Sequence, residues 1–292
     1  MKDVSTRNLA RQQQMQEELA SSLSETTLKL LKLSAEKGAS SWLTSLPLKE
    51  YGFRLNKQEF ADAVSMRYNL PLENVPKHCV CDADYGINHC LTCKNGGFIH
   101  FRHNIVRDTV GKLTSEICKD VRIEPALLPV TGEALPDGAN TADGARADVS
   151  ALSFWQPLSR AFFDIKVFNA LATTNWRMEI PEMYAHHEKL KKKAYNDRII
   201  EVEKGTFTPL VFSCSGGASA EASKFIKQLS AKLSEKRQEQ YSATVNFVRR
   251  RIRFDILRSC IYSLRGERSR RGGAADENLT ELEMGLHRLS AE

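Results

Sequence analysis

The chain is predicted to be an α/β protein, with a mixed central sheet flanked by helices, a small zinc knuckle ahead of it and helical segments at both ends. Three observations predict this. From residue 103 onward, the apolar periodicity reads helix, three strands, helix, strand, helix, helix. A meander followed by a helical crossover gives a sheet with both antiparallel and parallel neighbours. Cysteines and a histidine also gather at metal-ligand spacing just before that run.

Composition narrows the class. Of the 292 residues, 41% are hydrophobic, enough to bury a core, so the whole chain is not disordered. Seven cysteines in that length are too few for a disulfide scaffold. No run approaches the roughly 18 to 20 uncharged apolar residues of a membrane span. No apolar secretory stretch follows Met1. The expected location is therefore nuclear or cytoplasmic, not secreted, with cysteines that are thiols or metal ligands. A net charge of +6 permits a nucleic-acid partner without requiring one.

The elements follow in order. Residues 1–75 form a helical lead-in. Leu19, Leu23, Leu30 and Leu31 make one stripe, Gly38 breaks it, and Phe60, Ala63, Val64 and Tyr68 make a second before Pro71 and Pro76. Residues 76–101 form the knuckle, ending in a short strand over Phe98–Phe101. Residues 102–264 form the main domain. It opens with a helix from about His103 to Cys118 and a strand from Val121 to Val130. Residues 131–145, rich in Gly, Ala, Asp and Thr, read as a mobile loop. Strands at about 146–152 and 160–169 come next, then a helix over 179–204 and a strand from Leu210 to Cys214. Helices to about 237 and over 241–263 close the domain. Residues 265–292 read as a loose basic tail.

The two middle strands carry the most informative residues. Alternation puts Asp164 and Lys166 on one face and Phe163, Ile165 and Val167 on the other. A turn at Trp155–Leu158 gives a hairpin register that sets Asp148 directly across from Asp164. Carboxylates about 5 Å apart repel one another. A shared divalent cation, Mg²⁺ or Mn²⁺, would resolve that repulsion. Lys166 would then orient water or bind a phosphate. The competing reading is a solvated hairpin face carrying ordinary charges.

Cys79-x-Cys81, seven residues, His89, three residues, Cys93 supplies four soft ligands within fifteen residues. That set suits tetrahedral zinc in a closed, structural site. Cys90 and His78 are alternative ligands. His103, just beyond, is a candidate phosphate contact or a helix-start histidine.

The order helix, strand, Asp148, Asp164-Ile-Lys166, helix resembles the PD-(D/E)XK nuclease superfamily, with Ala147 in place of the proline. The knuckle, Arg102-His103-Asn104, Glu124-Pro125 and the Asp…Asp-x-Lys run together resemble a more specific region. This is the restriction-enzyme-like endonuclease at the C-terminal end of reverse transcriptases in site-specific non-LTR retrotransposons. The related region of mobile-element polyproteins of marine invertebrates is especially similar, through Ala39–Leu48 and Thr208–Gly217. The resemblance covers about residues 36–266. It implies a restriction-endonuclease-like fold and a metal-dependent endonuclease that nicks target DNA. It also implies a further glutamate ligand, Glu124 in preference to Glu116, and polar residues on the following helix, Tyr184 and Lys191, that touch substrate phosphate or lytic water. No adjacent aspartate pair occurs, so this chain carries no polymerase motif.

Downstream, Arg249–Arg253 and Arg265–Arg271 are cationic clusters suited to phosphates. The expected partner is DNA, or the RNA of a parent element, with no membrane. The alternative reading is a zinc-stabilised nucleic-acid-binding remnant without catalysis, or a domesticated interaction protein.

Overall fold

A computed structural model of the chain describes residues 2–268. The last 24 residues, which include most of the expected tail and Arg270 and Arg271, lie outside the described residues.

Four helices lead in: α1 (Lys2–Ser22), α2 (Glu25–Ser34), α3 (Ser41–Thr44) and α4 (Lys57–Tyr68). Ser24 caps α2 by accepting from the Thr27 amide, which splits the expected long stripe into two helices. A capping box of Asn56 and Glu59 starts α4. The knuckle contributes α5 (Ile87–Thr92), and α6 (Phe98–Ser115) follows directly. The short strand expected over Phe98–Phe101 is therefore the first turn of α6. Phe98 and Phe101 are both buried, three residues apart, which is helical rather than strand spacing.

The sheet runs in the order β1 (Lys119–Ile123), β2 (Val149–Leu152), β3 (Arg160–Phe168), β4 (Thr206–Ser213). The first three strands are antiparallel, and β4 is parallel to β3. The helix α7 (Ile180–Arg198) makes the crossover. It gives way to a single wide turn over Ile199–Glu203, which ends at Lys204 with φ +53°. The result is a mixed α/β fold with a four-stranded mixed sheet flanked by helices.

The strand expected over Val121–Val130 stops at Ile123. Glu124 sits at φ +49°, which breaks the extended backbone. Pro209 lies inside β4, opposite Asp164. It is tolerated because β4 is an edge strand and its proline needs no ladder donor on the free side.

Two helices, α8 (Ala220–Arg237) and α9 (Tyr241–Arg265), join α6 on one face of the sheet. There Phe163, Ile165, Leu210 and Phe212 bury against Val110, Phe225, Leu229, Val248 and Ile256. Phe225 stacks on Phe154 at 4.9 Å and meets Phe163 edge-on at 4.9 Å. The opposite face is covered by α7, with Met183 and Tyr184 on Phe168 and Val211. The alternation of β3 thus divides its residues as the sequence predicts.

The loop expected to be mobile is held, and so are the described first residues of the expected tail. Arg198 is fully buried and donates to the carbonyls of Leu128, Asn140 and Ala142. It thereby clamps the loop expected to be mobile over 131–145. At the start of that expected tail, Arg265 pairs with buried Asp62 at 2.8 Å. Arg268 lies over the rings of Tyr85 and Phe98, at 5.3 and 4.8 Å. The main domain therefore does not give way to a free tail at residue 265. Among the described residues, no helix is long and apolar enough to cross a membrane.

Candidate metal centre and carboxylate site

The knuckle brings together the residues its spacing selects. Cys79 and Cys81 sit on a tight turn, closed by the Asp82 amide on the Cys79 carbonyl at 2.9 Å and by Asp82 itself at φ +65°. His89 lies on α5 and Cys93 caps its C-terminus. The Cys79 and Cys93 sulfurs are 3.9 Å apart, Cys81 and Cys93 4.0 Å, and Cys81 Sγ and His89 Nε2 3.5 Å. Ligands about 2.3 Å from a tetrahedral zinc would be spaced about 3.8 Å apart. All four ligand atoms lie within 4.8 Å of one another. These four residues could hold a metal such as zinc.

Both alternative ligands stand apart from the cluster. His78 Nδ1 faces Asp84 at 3.3 Å. Cys90 is buried beside Tyr85 and Arg268, and burial pushes its thiol up. Hydrogen bonds tie the knuckle to the rest of the molecule. Asn169, just past β3, donates to Asn88 Oδ1 at 2.6 Å. Tyr85 donates to the Leu264 carbonyl at 2.8 Å, and Arg102 to the Leu91 carbonyl at 3.0 Å.

The second constellation lies where β2 and β3 begin to pair. Val149 stands opposite Phe163 and Ser150 opposite Phe162. The ladder ends there: the Asp148 amide donates to the carbonyl of Phe163, the residue that Val149 already opposes, at 3.1 Å. The expected direct pairing of Asp148 with Asp164 is therefore not formed, but Asp148 lies close enough for its charge to act on Asp164. Asp148 is fixed on both oxygens. His103 Nε2 lies 2.9 Å from Oδ1, and the Ile165 amide donates to Oδ2 at 2.5 Å. Asp164 is only 4% exposed, and Lys191 Nζ reaches its Oδ2 from α7 at 2.6 Å.

The electrostatics follow from burial. Desolvation first, and the Asp148 charge second, push Asp164 up to about 6. Burial works to lower Lys191, but the Asp164 and Asp148 charges outweigh it and raise its pKa. Lys166 is half-buried. Burial, then the Lys191 and Arg102 charges, lower its pKa. No carboxylate lies within ion-pair distance of it among the described residues. It is the ammonium left over at this site.

The remaining expected residues divide. Glu124 is next to Asp148 through its backbone, its amide donating to the Asp148 carbonyl at 2.9 Å. Its carboxylate turns away to Arg107. Glu116 is paired with Arg237 at 2.6 Å. Tyr184, expected beside Lys191, is buried, and its hydroxyl donates to Glu36 Oε2 at 2.9 Å. It is engaged with the lead-in rather than with the carboxylates. Of the first arginine cluster, Arg253 is buried, not solvated.

One residue went unselected. His187 packs at a tilt on the Phe168 ring, 4.6 Å between centroids, and its buried Nε2 has no partner. Burial, then the Lys166 charge, push it down to about 4, so it is neutral at physiological pH. The signal was present in the sequence, since His187 precedes Lys191 by one helical turn.

Compared with known proteins, the chain matches no protein-family model and no curated protein.

Proposed function

We propose that the chain is a metal-dependent DNA endonuclease, with a restriction-endonuclease-like core derived from a mobile-element polyprotein, that nicks a target site by phosphodiester hydrolysis. One observation carries the reading. Asp148, just before β2, lies beside Asp164 on β3, with Lys166 on the same strand face as Asp164 and Lys191 reaching in from the crossover helix. The order α6, β1, β2, β3, α7, β4 supports it too, being the order the resemblance implies.

The carboxylate pair would hold Mg²⁺ or Mn²⁺, which supplies charge neutralisation at the scissile phosphate. Two observations fit a cation there: the mutual repulsion of the two aspartates, and the Lys191 ammonium already drawn to Asp164. His103 and the Ile165 amide hold Asp148 in place. Lys166, partly desolvated and without a carboxylate partner, orients water or binds a phosphate oxygen. Zinc in the knuckle is structural, because four protein ligands leave no open position.

A nicking assay on supercoiled plasmid with Mg²⁺ or Mn²⁺ tests the reading. Wild type should nick, and Asp164→Ala should bind DNA without cutting. Equal nicking by the two proteins sinks it. A second reading, a nucleic-acid-binding remnant without catalysis, is favoured by the closed state of the pair. Lys191 and the Ile165 amide occupy oxygens that a cation would need. It predicts salt-sensitive DNA binding and no nicking with either metal.

A further inference from the structure

A cavity of about 220 Å³ opens between the segment after α2, the turn after β4, and the helices α8 and α9. It is smaller than the roughly 300–1,000 Å³ of sites for drug-sized molecules, which suits a compact polar group. Four cationic side chains line it: Lys37, Lys227, Arg249 and Arg253. Its single carboxylate is Glu36. That carboxylate already accepts from Tyr184, and burial raises its pKa.

The cations lack counter-charges. The side chains of Lys37, Lys227 and Arg249 make no hydrogen bond or ion pair among the described residues. Nearby cations that are not in the cavity do find carboxylates: Lys192 pairs with Glu221 at 2.7 Å and Arg251 with Asp255 at 3.2 Å. Arg253, at the back, is only 7% exposed. It donates to the carbonyls of Ala39 at 2.6 Å and Cys214 at 3.3 Å, and no carboxylate comes within ion-pair distance. Gly216, at φ +89°, packs where a Cβ would overlap that guanidinium. The turn after β4 is therefore shaped around the arginine.

We infer that this cavity is an anion site that takes a phosphoryl group, between Arg253 and Arg249 at the back and Lys37 and Lys227 at the mouth. Arginine suits phosphate through its fork of donors, and lysine as a point charge. The phosphoryl group comes either from a nucleic-acid strand or from a free phosphate compound. Tyr184, which bonds Glu36 at the cavity, and Lys191, which meets Asp164, are seven residues apart on α7. That separation is about 10 Å along a helix, a span a strand lying along α7 would bridge. The cavity does not use the carboxylate pair, so its test stands apart from that of the nuclease reading.

Calorimetric titration of the full chain with pyrophosphate, in buffer free of magnesium, provides the test. Wild type should bind saturably. The triple variant Lys37→Gln, Lys227→Gln, Arg249→Gln should bind at least tenfold more weakly, with its melting temperature and metal content unchanged. Lys227→Glu, a single change at an exposed position, should weaken binding in the same direction and guards against a folding defect in the triple variant. A twelve-nucleotide single-stranded DNA distinguishes the sources. If it displaces pyrophosphate, and the triple variant loses about two units of its log–log salt slope, at ~0.7 per phosphate, the phosphoryl group belongs to nucleic acid. If only pyrophosphate binding is lost, it belongs to a free phosphate compound. The site is overturned if wild type binds neither probe saturably, or if the triple variant binds both as wild type does.

Discussion

Lys191 Nζ lies 2.6 Å from Asp164 Oδ2, joining the crossover helix to the central strand through one partly buried ion pair. Removing the ammonium leaves a carboxylate buried with no cation, which is the expensive way to break such a pair. Lys191→Met should lower stability by about 2–3 kcal/mol at pH 8, measured by urea unfolding. An unchanged midpoint would show that the pair contributes nothing.

The same carboxylate sets a pH dependence. Asp164 titrates at about 6 in the folded chain, above the ~3.9 of an unfolded aspartate. The folded state then holds its proton more tightly than the unfolded state. Its contribution to stability is fully present below about pH 4 and is lost as pH rises through about 6. In magnesium-free buffer, Asp164→Asn should remove that part of the dependence, so its stability relative to wild type should improve from pH 4 to pH 7. Parallel stability curves for the two proteins would refute the assignment.

The knuckle predicts a split between two cysteines. Cys81→Ser removes one of the four clustered ligands. The purified variant should lose the roughly one equivalent of zinc expected of wild type, since a three-ligand site binds far more weakly. Cys90→Ser, whose thiol faces Tyr85 and Arg268, should retain it. Elemental analysis of both proteins decides the ligand set, and zinc loss from both would reopen it.

Arg198 predicts an effect far from any site. Its guanidinium serves the carbonyls of Leu128, Asn140 and Ala142 from a fully buried position. Arg198→Met leaves them without a donor and should destabilise the chain by about 2–4 kcal/mol. Limited proteolysis should then cut within residues 131–145 faster than in wild type. Equal cutting rates would mean that the loop is held by something else.

The aromatic stack in the main core predicts a larger loss. Phe225 is fully buried between Phe154 and Phe163. Phe225→Ala should cost about 3–5 kcal/mol, read as a fall in the urea midpoint. A loss under 1 kcal/mol would show that the neighbouring rings collapse into the space.

Much of this was readable in the chain because the deciding forces are local. The hairpin register follows from a short turn and strand alternation, and Val149 does stand opposite Phe163, although the pairing stops one residue short of Asp148. The ligand set was legible for the same reason: four soft ligands within fifteen residues have few ways to converge. What stayed hidden depends on partners far along the chain. The loop at 131–145 looks unrestrained until Arg198 is placed beside it. Tyr184 and Lys191 share a helix side by spacing, and only the packing of Glu36 takes the tyrosine elsewhere. Glu124 keeps its backbone beside Asp148 and gives its carboxylate to Arg107, a choice no spacing rule contains. Phe98 to Phe101 is too short a run for periodicity to separate strand from helix.

The bond between Asp62 and Arg265 spans 203 residues, and α9 also packs on α3, α4, α5, α6 and α8. During synthesis, the lead-in and the knuckle leave the ribosome long before the helix they rest on exists. Contacts of such long sequence separation form late and slow the search for the native state. The early segments must therefore wait, half-assembled and with Trp42 and Phe53 uncovered, until α9 arrives to receive them. A truncation that stops before residue 241 would strip the floor from both ends of the molecule at once.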